Sequence, residues 1–247
     1  MSKLLINGSR YNPKLILFDV DGTLVDDTHR YSSLGKARYM AFEELASEKA
    51  AREWARLAGV NPKDWTIDPL GPISKAPRRD DLAIAAGALY LDGYSWYEAR
   101  TLAETIYMEA DEEQKRSFKP KIYEGVEEKL RELKDAGFIL CIATNGVTRI
   151  TEELLEGLGI NELFSVVVGA DLVERSKPAP DMILWACKVA GYQAEESAYV
   201  GDQPTDMEAA NNAHVLLSIG VRNPDLSQRG AKECLKSVQD IQIINEP

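Results

Sequence analysis

The feature of this sequence that most constrains its fold is an alternation of two kinds of segment. Short apolar runs stop at polar turns, and longer stretches with apolar residues at helical spacing stop at glycine. The first run, Lys14-Leu15-Ile16-Leu17-Phe18, ends abruptly at Asp19-Val20-Asp21-Gly22-Thr23, as a buried strand does on reaching a polar loop. Four more runs follow late in the chain: Phe138 to Ala143, Phe164 to Val168, Ala198 to Val200 and Val215 to Ile219. Between them lie Val126, Leu130 and Leu133 before Gly137, then Ile150, Leu154 and Leu158 before Gly159, then Ile183, Cys187 and Ala190 before Gly191. Each reads as a helix closed by a left-handed glycine. Alternating strands and helices of these lengths predict an α/β fold with right-handed crossovers and a mostly parallel sheet covered on both faces.

From about Asp26 to Phe118 the alternation stops. Alanine-rich and charged runs replace it, and no stretch reads as a strand. Trp96, Ala99, Leu102, Ala103, Ile106 and Tyr107 mark one amphipathic helix, Leu34 to Leu57 one or two others, and Leu82 to Leu89 a further one. The loop from Asp68 to Pro77, with three prolines, interrupts the pattern. The reading is an all-helical insert at 26–118 within a sheet-forming part made of 1–25 and 119–247.

Composition excludes several classes. With 247 residues, 45% of them hydrophobic, the chain can build one large or two modest cores. It lacks the run of about 18 apolar residues that a membrane span needs, and Leu4-Leu5-Ile6 is too short for a signal-peptide core, so a cytoplasmic protein with no membrane partner is expected. The net charge of −11 argues against a nucleic-acid partner, which would need clustered Lys and Arg. Three cysteines in apolar runs read as reduced core residues, and two histidines far from any cysteine pair leave nothing for a zinc site.

In an open parallel sheet, ligands bind beyond the carboxyl ends of the strands. Asp19 and Asp21 follow the first strand, Thr144-Asn145-Gly146 the second, Lys177 comes shortly after the third, and Asp202 with Asp206 follows the fourth. Carboxylates gathered at one edge repel one another and need a cation; oxygen ligands at a phosphate site favour Mg²⁺. A carboxylate can attack phosphorus in line, dividing one slow displacement into two faster ones, and Asp19 stands at the strand end for that task. Asp21, from the same turn, is the candidate general acid and base. Asp202 adds a metal-ligand carboxylate, Lys177 neutralises nucleophile and phosphoryl oxygens, Thr144 offers a hydroxyl, and Gly146 leaves room for backbone N–H groups to reach phosphate.

Asp19-Val20-Asp21-Gly22-Thr23, Thr144-Asn145-Gly146, Ser176-Lys177-Pro178-Ala179-Pro180-Asp181 and Gly201-Asp202-Gln203-Pro204-Thr205-Asp206 resemble, in order, the four motifs of the haloacid dehalogenase superfamily. The chain is most similar to the phosphoglycolate phosphatase and beta-phosphoglucomutase branch. That resemblance implies a Rossmann-like core, an obligatory Mg²⁺, and a helical cap inserted after the first motif. It implies Asp19 as nucleophile, Asp21 as acid/base and a metal ligand through its carbonyl, Thr144 and Lys177 as phosphate contacts, Asp202 as metal ligand and Asp206 in a supporting role. The implied reaction is hydrolysis of a small phosphorylated metabolite, phosphoglycolate-like or a sugar phosphate, by a monomer or homodimer.

Departures from the family patterns select among activities. Dehalogenases and phosphonoacetaldehyde hydrolases lack the second aspartate, which this chain has as Asp21. Mutases of the phosphoglucose type carry a histidine about where Tyr31 stands, which weakens that alternative without removing it. A receiver-like phospho-switch and an inactive scaffold are the remaining alternatives; the large insert speaks against the first and the filled motifs against the second. In the insert, Lys75, Arg78 and Arg79 either grip a second anionic group of the substrate or belong to a solvated loop. SKPAPD opens a helix with Pro180 at its first position. His29 reads as a hinge or surface residue.

Overall fold

The computed structural model describes residues 2–26, 30–68, 70–117 and 119–245, so His29 lies outside the described residues. The chain divides into two compact units, Met1–Asp26 with Pro120–Pro247, and Asp27–Lys119. The strands are β1 (Ser2–Ile6), β2 (Ser9–Tyr11), β3 (Leu15–Phe18), β4 (Ile139–Ala143), β5 (Val166–Val168), β6 (Ser197–Gly201), β7 (Leu217–Val221), β8 (Glu233–Leu235) and β9 (Gln242–Asn245). The helices are α1 (Arg30–Leu45), α2 (Glu48–Ala58), α3 (Pro72–Lys75), α4 (Arg78–Leu91), α5 (Trp96–Ser117), α6 (Val126–Asp135), α7 (Thr148–Gly157), α8 (Asp181–Ala190) and α9 (Pro204–Asn212). Pro180 caps α8 from just outside rather than opening it.

Six strands form one parallel sheet in the order β5-β4-β3-β6-β7-β8. The chain moves outward from β3 through β4 to β5, then crosses to the other side of β3 for β6, β7 and β8. The strand order therefore reverses at β3, where Phe18 lies level with Ile142 on one neighbour and Val200 on the other. Such a reversal is where an open α/β sheet leaves a crevice for ligands. The expected α/β architecture is thus the one observed.

All four residues of β3 are buried, which a central strand covered on both faces requires. The period of two divides them. Ile16 and Phe18 join Leu140, Ile142, Val200 and Ile219 in a core shared with Val126, Leu130 and Leu133 of α6. Leu15 and Leu17 join Cys141, Ala143 and Tyr199 in a second core with Met182, Ile183 and Ala186 of α8 and Met207 and Ala210 of α9. Gly137, Gly159 and Gly191 each have positive φ after their helices, as the glycine signals require. Burial pushes the Cys141 thiol up to about 12, which suits a packing role.

A second, antiparallel sheet of three strands in the order β2-β1-β9 was not anticipated. It joins the beginning of the chain to its end, with Leu4 opposite both Tyr11 and Ile243.

The helical unit has a core rich in alanine, with Trp54, Phe42 and Tyr107 filling the space between helices. Phe42 and Trp54 stack with ring centres 5.3 Å apart. A buried polar network runs through it: Arg38 pairs with Asp81 at 2.6 Å, Tyr107 donates its hydroxyl to Asp81 at 2.8 Å, and Trp54 Nε1 donates to Tyr107 at 2.9 Å. Among the described residues, no helix is long and apolar enough to cross a membrane.

Candidate active site

Each functional side chain follows the carboxyl end of a strand. Asp19 comes directly after β3, with its N–H donating to Val200 O at 2.9 Å, so the ladder continues until the carboxylate leaves the sheet. Asp21 sits half-buried in a turn closed by Gly22 N–H to Val25 O at 3.0 Å and Val25 N–H to Val20 O at 3.0 Å. Thr144 follows β4, Asp202 follows β6, and Asp206 stands in the first turn of α9. The α9 start fixes Asp206, because Gln203 N–H donates to its Oδ2 at 2.9 Å.

Lys177 organises the centre. Its Nζ donates to Asp19 Oδ1 at 2.7 Å, to Asp206 Oδ1 at 2.6 Å and to the Tyr199 hydroxyl at 3.0 Å, and the side chain is 3% exposed. Burial alone would release its proton, but Asp19 and Asp206 overcome that and hold the ammonium well above its usual range. Lys177 is therefore a fixed cation at any physiological pH. Asp19 is pushed upward, by burial first and by the Asp206 charge, with Lys177 pulling the other way. One ammonium does not compensate all the carboxylates present.

Asp19, Asp202 and Asp206 bring carboxylate oxygens within 4.8 Å of one another, all three buried. The donors are hard oxygens, a set that fits Mg²⁺ rather than Zn²⁺, and their surplus negative charge calls for a second cation. Asp206 spends both oxygens on Lys177 and Gln203 N–H, which leaves Asp19 and Asp202 better suited to an ion. Asp202 is oriented by Thr23, whose hydroxyl donates at 3.1 Å, and by the Gln203 amide.

Gly22 has φ +79°, and a Cβ there would meet Asp202 Oδ2 at 2.5 Å. Glycine is required at this turn on both counts. Gly22→Ala is expected to cost about 1–3 kcal/mol of stability through left-handed strain and to displace the Asp202 carboxylate. Thermal unfolding together with the affinity for added Mg²⁺, read by its shift of the thermal midpoint, would measure both effects.

The haloacid dehalogenase-like hydrolase family matches the chain over residues 16–219, a span that runs from β3 to β7 and contains Asp19, Asp21, Thr144, Lys177, Asp202 and Asp206. The chain belongs to the haloacid dehalogenase-like hydrolases. It is similar to a phosphoglycolate phosphatase of Chromobacterium violaceum, 30% identical over 236 residues that cover 92% of this chain and 94% of that one. Among solved structures it resembles a subfamily IA haloacid dehalogenase-superfamily hydrolase of Geobacter sulfurreducens, with TM-score 0.63, 21% identity and coverage of 92% and 97%. It also resembles a beta-phosphoglucomutase of Clostridium difficile, with TM-score 0.63, 18% identity and coverage of 93% of each chain.

The haloacid dehalogenase-like centre thus gathers Asp19, Lys177, Asp202 and Asp206, with Asp21 two residues along the turn from Asp19. The Asn145 side-chain oxygen accepts from Lys177 N–H at 3.1 Å, so it holds the lysine backbone. Thr144 is buried, and its hydroxyl accepts from Gly146 N–H at 3.3 Å. The three cations proposed for a second anionic group lie in the helical unit. Arg78 is held in a two-point pair with Asp111 at 2.6 and 3.2 Å, while Lys75 and Arg79 are exposed, with Arg79 3.4 Å from Asp80.

Three residues of the centre were given no role from sequence: Tyr199, Thr23 and Gln203. Thr23 and Gln203 sit inside motifs already singled out, so their proximity was available. Tyr199 had one weaker signal, a lone phenol in an otherwise small and aliphatic strand, whose hydroxyl needs a partner when buried.

Proposed function

We propose that this haloacid dehalogenase-like phosphatase hydrolyses a small phosphate monoester, phosphoglycolate or a sugar phosphate, through an aspartyl-phosphate on Asp19. The observation that carries the reading is the Lys177 ammonium shared between Asp19 and Asp206 at 2.7 and 2.6 Å, beside the Asp202 carboxylate. The similarity to a phosphoglycolate phosphatase over 92% of this chain supports the substrate class.

Asp19, Asp21 through its carbonyl, and Asp202 are the residues that would hold Mg²⁺. When bound, the ion supplies the positive charge that lets a phosphate dianion approach clustered aspartates. Asp19 keeps one oxygen on Lys177 while the other attacks phosphorus. The bond to the leaving oxygen breaks, and Asp21 gives that oxygen its proton. Asp21 then takes a proton from water, the water oxygen attacks the phosphorus, the bond between phosphorus and the Asp19 oxygen breaks, and inorganic phosphate leaves as the Asp19 carboxylate is regenerated. Lys177 and the Thr144 hydroxyl neutralise and orient the phosphoryl oxygens. Division into a core and a helical cap that selects the substrate, with Lys75, Arg78 and Arg79 as candidate anion contacts, belongs to the same proposal.

The test is steady-state phosphate release from phosphoglycolate, sugar phosphates, nucleotides and pyrophosphate, ranked by kcat/KM. Catalytic turnover on a small monoester is expected. One equivalent of stable phosphoprotein would point instead to a switch, and an isomerised sugar phosphate to a mutase. Exhaustive treatment with EDTA should abolish release and added Mg²⁺ restore it; activity that survives chelation would contradict the assignment of the aspartates to a metal.

A further inference from the structure

Hydrogen-bond accounting at Lys177 singles out a residue to which no role has been given. An ammonium carries three hydrogens. All three have an acceptor: Asp19 Oδ1 at 2.7 Å, Asp206 Oδ1 at 2.6 Å and Tyr199 Oη at 3.0 Å. These acceptors are not equivalent during the reaction. Asp19 loses its negative charge when it becomes phosphorylated, and Asp206 is anchored to the start of α9 through Gln203 N–H. Tyr199 is the neutral acceptor, so its attraction for the ammonium is unaltered by phosphorylation of Asp19.

The phenol is itself held in place. It is fully buried in β6, and its hydroxyl lies 2.8 Å from Ala143 O and 3.2 Å from Asp206 Oδ1. A hydroxyl has one hydrogen, and the shorter contact assigns it to Ala143 O, the last carbonyl of β4. With that hydrogen committed, an oxygen lone pair faces Lys177. Since Thr144 follows Ala143 directly, one side chain ties the ammonium to the strand end that carries the threonine hydroxyl.

We propose that Tyr199 is a positioning residue that holds Lys177 in register with Thr144 and Asp206 through both halves of the reaction. This rests on the phosphatase reading above. It goes further by assigning the phenol hydroxyl a part that ring packing alone would not give it.

Tyr199→Phe removes only that oxygen. Loss of a hydrogen bond to a charged group that orients the transferring phosphoryl predicts a fall in kcat of about 10- to 100-fold, with KM moving by less than about threefold. Metavanadate, which adopts the five-coordinate geometry of the transferring phosphoryl, should lose inhibitory strength by about the same factor as kcat/KM, while orthophosphate inhibition changes by less than about threefold. A merely structural phenol would change the thermal midpoint and leave the ratio of the two inhibitors alone. The inference is overturned by kcat within about twofold of wild type, by equal weakening of both inhibitors, or by a Tyr199→Phe protein that circular dichroism shows to be unfolded. A wild-type enzyme without turnover would defeat the phosphatase reading itself; normal turnover with an indifferent Tyr199→Phe variant would defeat only the role of Tyr199.

Discussion

Asp19→Asn is expected to stop turnover, lowering kcat by at least about 10⁴-fold, while the fold stays intact. Asparagine has nearly the shape of aspartate, so a residue with 6% exposure at the end of β3 is not displaced. Its amide oxygen still accepts from Lys177 Nζ, but it carries no charge to attack phosphorus. The stability effect has a predictable sign. Asp19 titrates above its ordinary range in the folded protein because burial disfavours its charge, so its contribution to stability is lost as pH rises through the folded value. Asparagine does not titrate. Without metal, the variant should therefore equal or exceed wild type in thermal midpoint, with the gap widening as pH rises, whereas Mg²⁺ should stabilise it less than it stabilises wild type. Phosphate release, circular dichroism and thermal scans with and without Mg²⁺ measure each part.

Lys177→Ala should be damaging in two ways. Removal of the charge beside the transferring phosphoryl is expected to cost on the order of 10³-fold or more in kcat, the scale of a lost electrostatic group in a closed site. Removal also leaves Asp19 and Asp206 buried without their counter-ion, and breaking a buried pair in this way costs roughly 3–5 kcal/mol. The Asp19 carboxyl then favours its protonated form more strongly, since the ammonium no longer lowers it. The folded pKa of Asp19, already above the unfolded one, rises further, so the deficit relative to wild type should be small in acid and grow as pH climbs past the ordinary carboxylate range. Denaturant unfolding across that window measures the deficit. Activity within tenfold of wild type would remove Lys177 from the site.

The sheet was legible because its strands are buried on both faces, and an apolar run that stops at an aspartate states both the strand and its end. Their limits were less legible. The run Phe164 to Val168 pairs only from Val166, and Val215 to Ile219 pairs as Leu217–Val221, because ladder partners rather than hydropathy decide where a strand begins. The first hairpin carries a local signal: Asn7 and Gly8 both take positive φ between Ile6 and Ser9, the two-residue turn that Asn-Gly favours. Its pairing with β9 carried no such signal, since the partner lies at the other end of the chain. In the helical unit, the buried Arg38–Asp81 pair was hidden by a helix pattern that marks both residues as solvent-facing by type.

At the site, the distinction is between motif and network. Asp19, Lys177 and Asp202 announce themselves as charged residues after apolar runs, while Tyr199 acquires its contacts from a carbonyl of β4, on the far side of β3, and from a lysine 22 positions away. No spacing rule within β6 encodes those partners. Side chains that hold reactive groups in place are written in the sheet register, and register becomes visible only after folding.

The most direct test of the account is chemical trapping of the covalent intermediate. Enzyme quenched during turnover with Mg²⁺ and a small phosphate monoester, then reduced with borohydride, should yield homoserine at position 19 on peptide mass mapping, and Asp19→Asn protein should yield none. Homoserine at another aspartate, or unmodified Asp19 in an enzyme caught at full turnover, would contradict it.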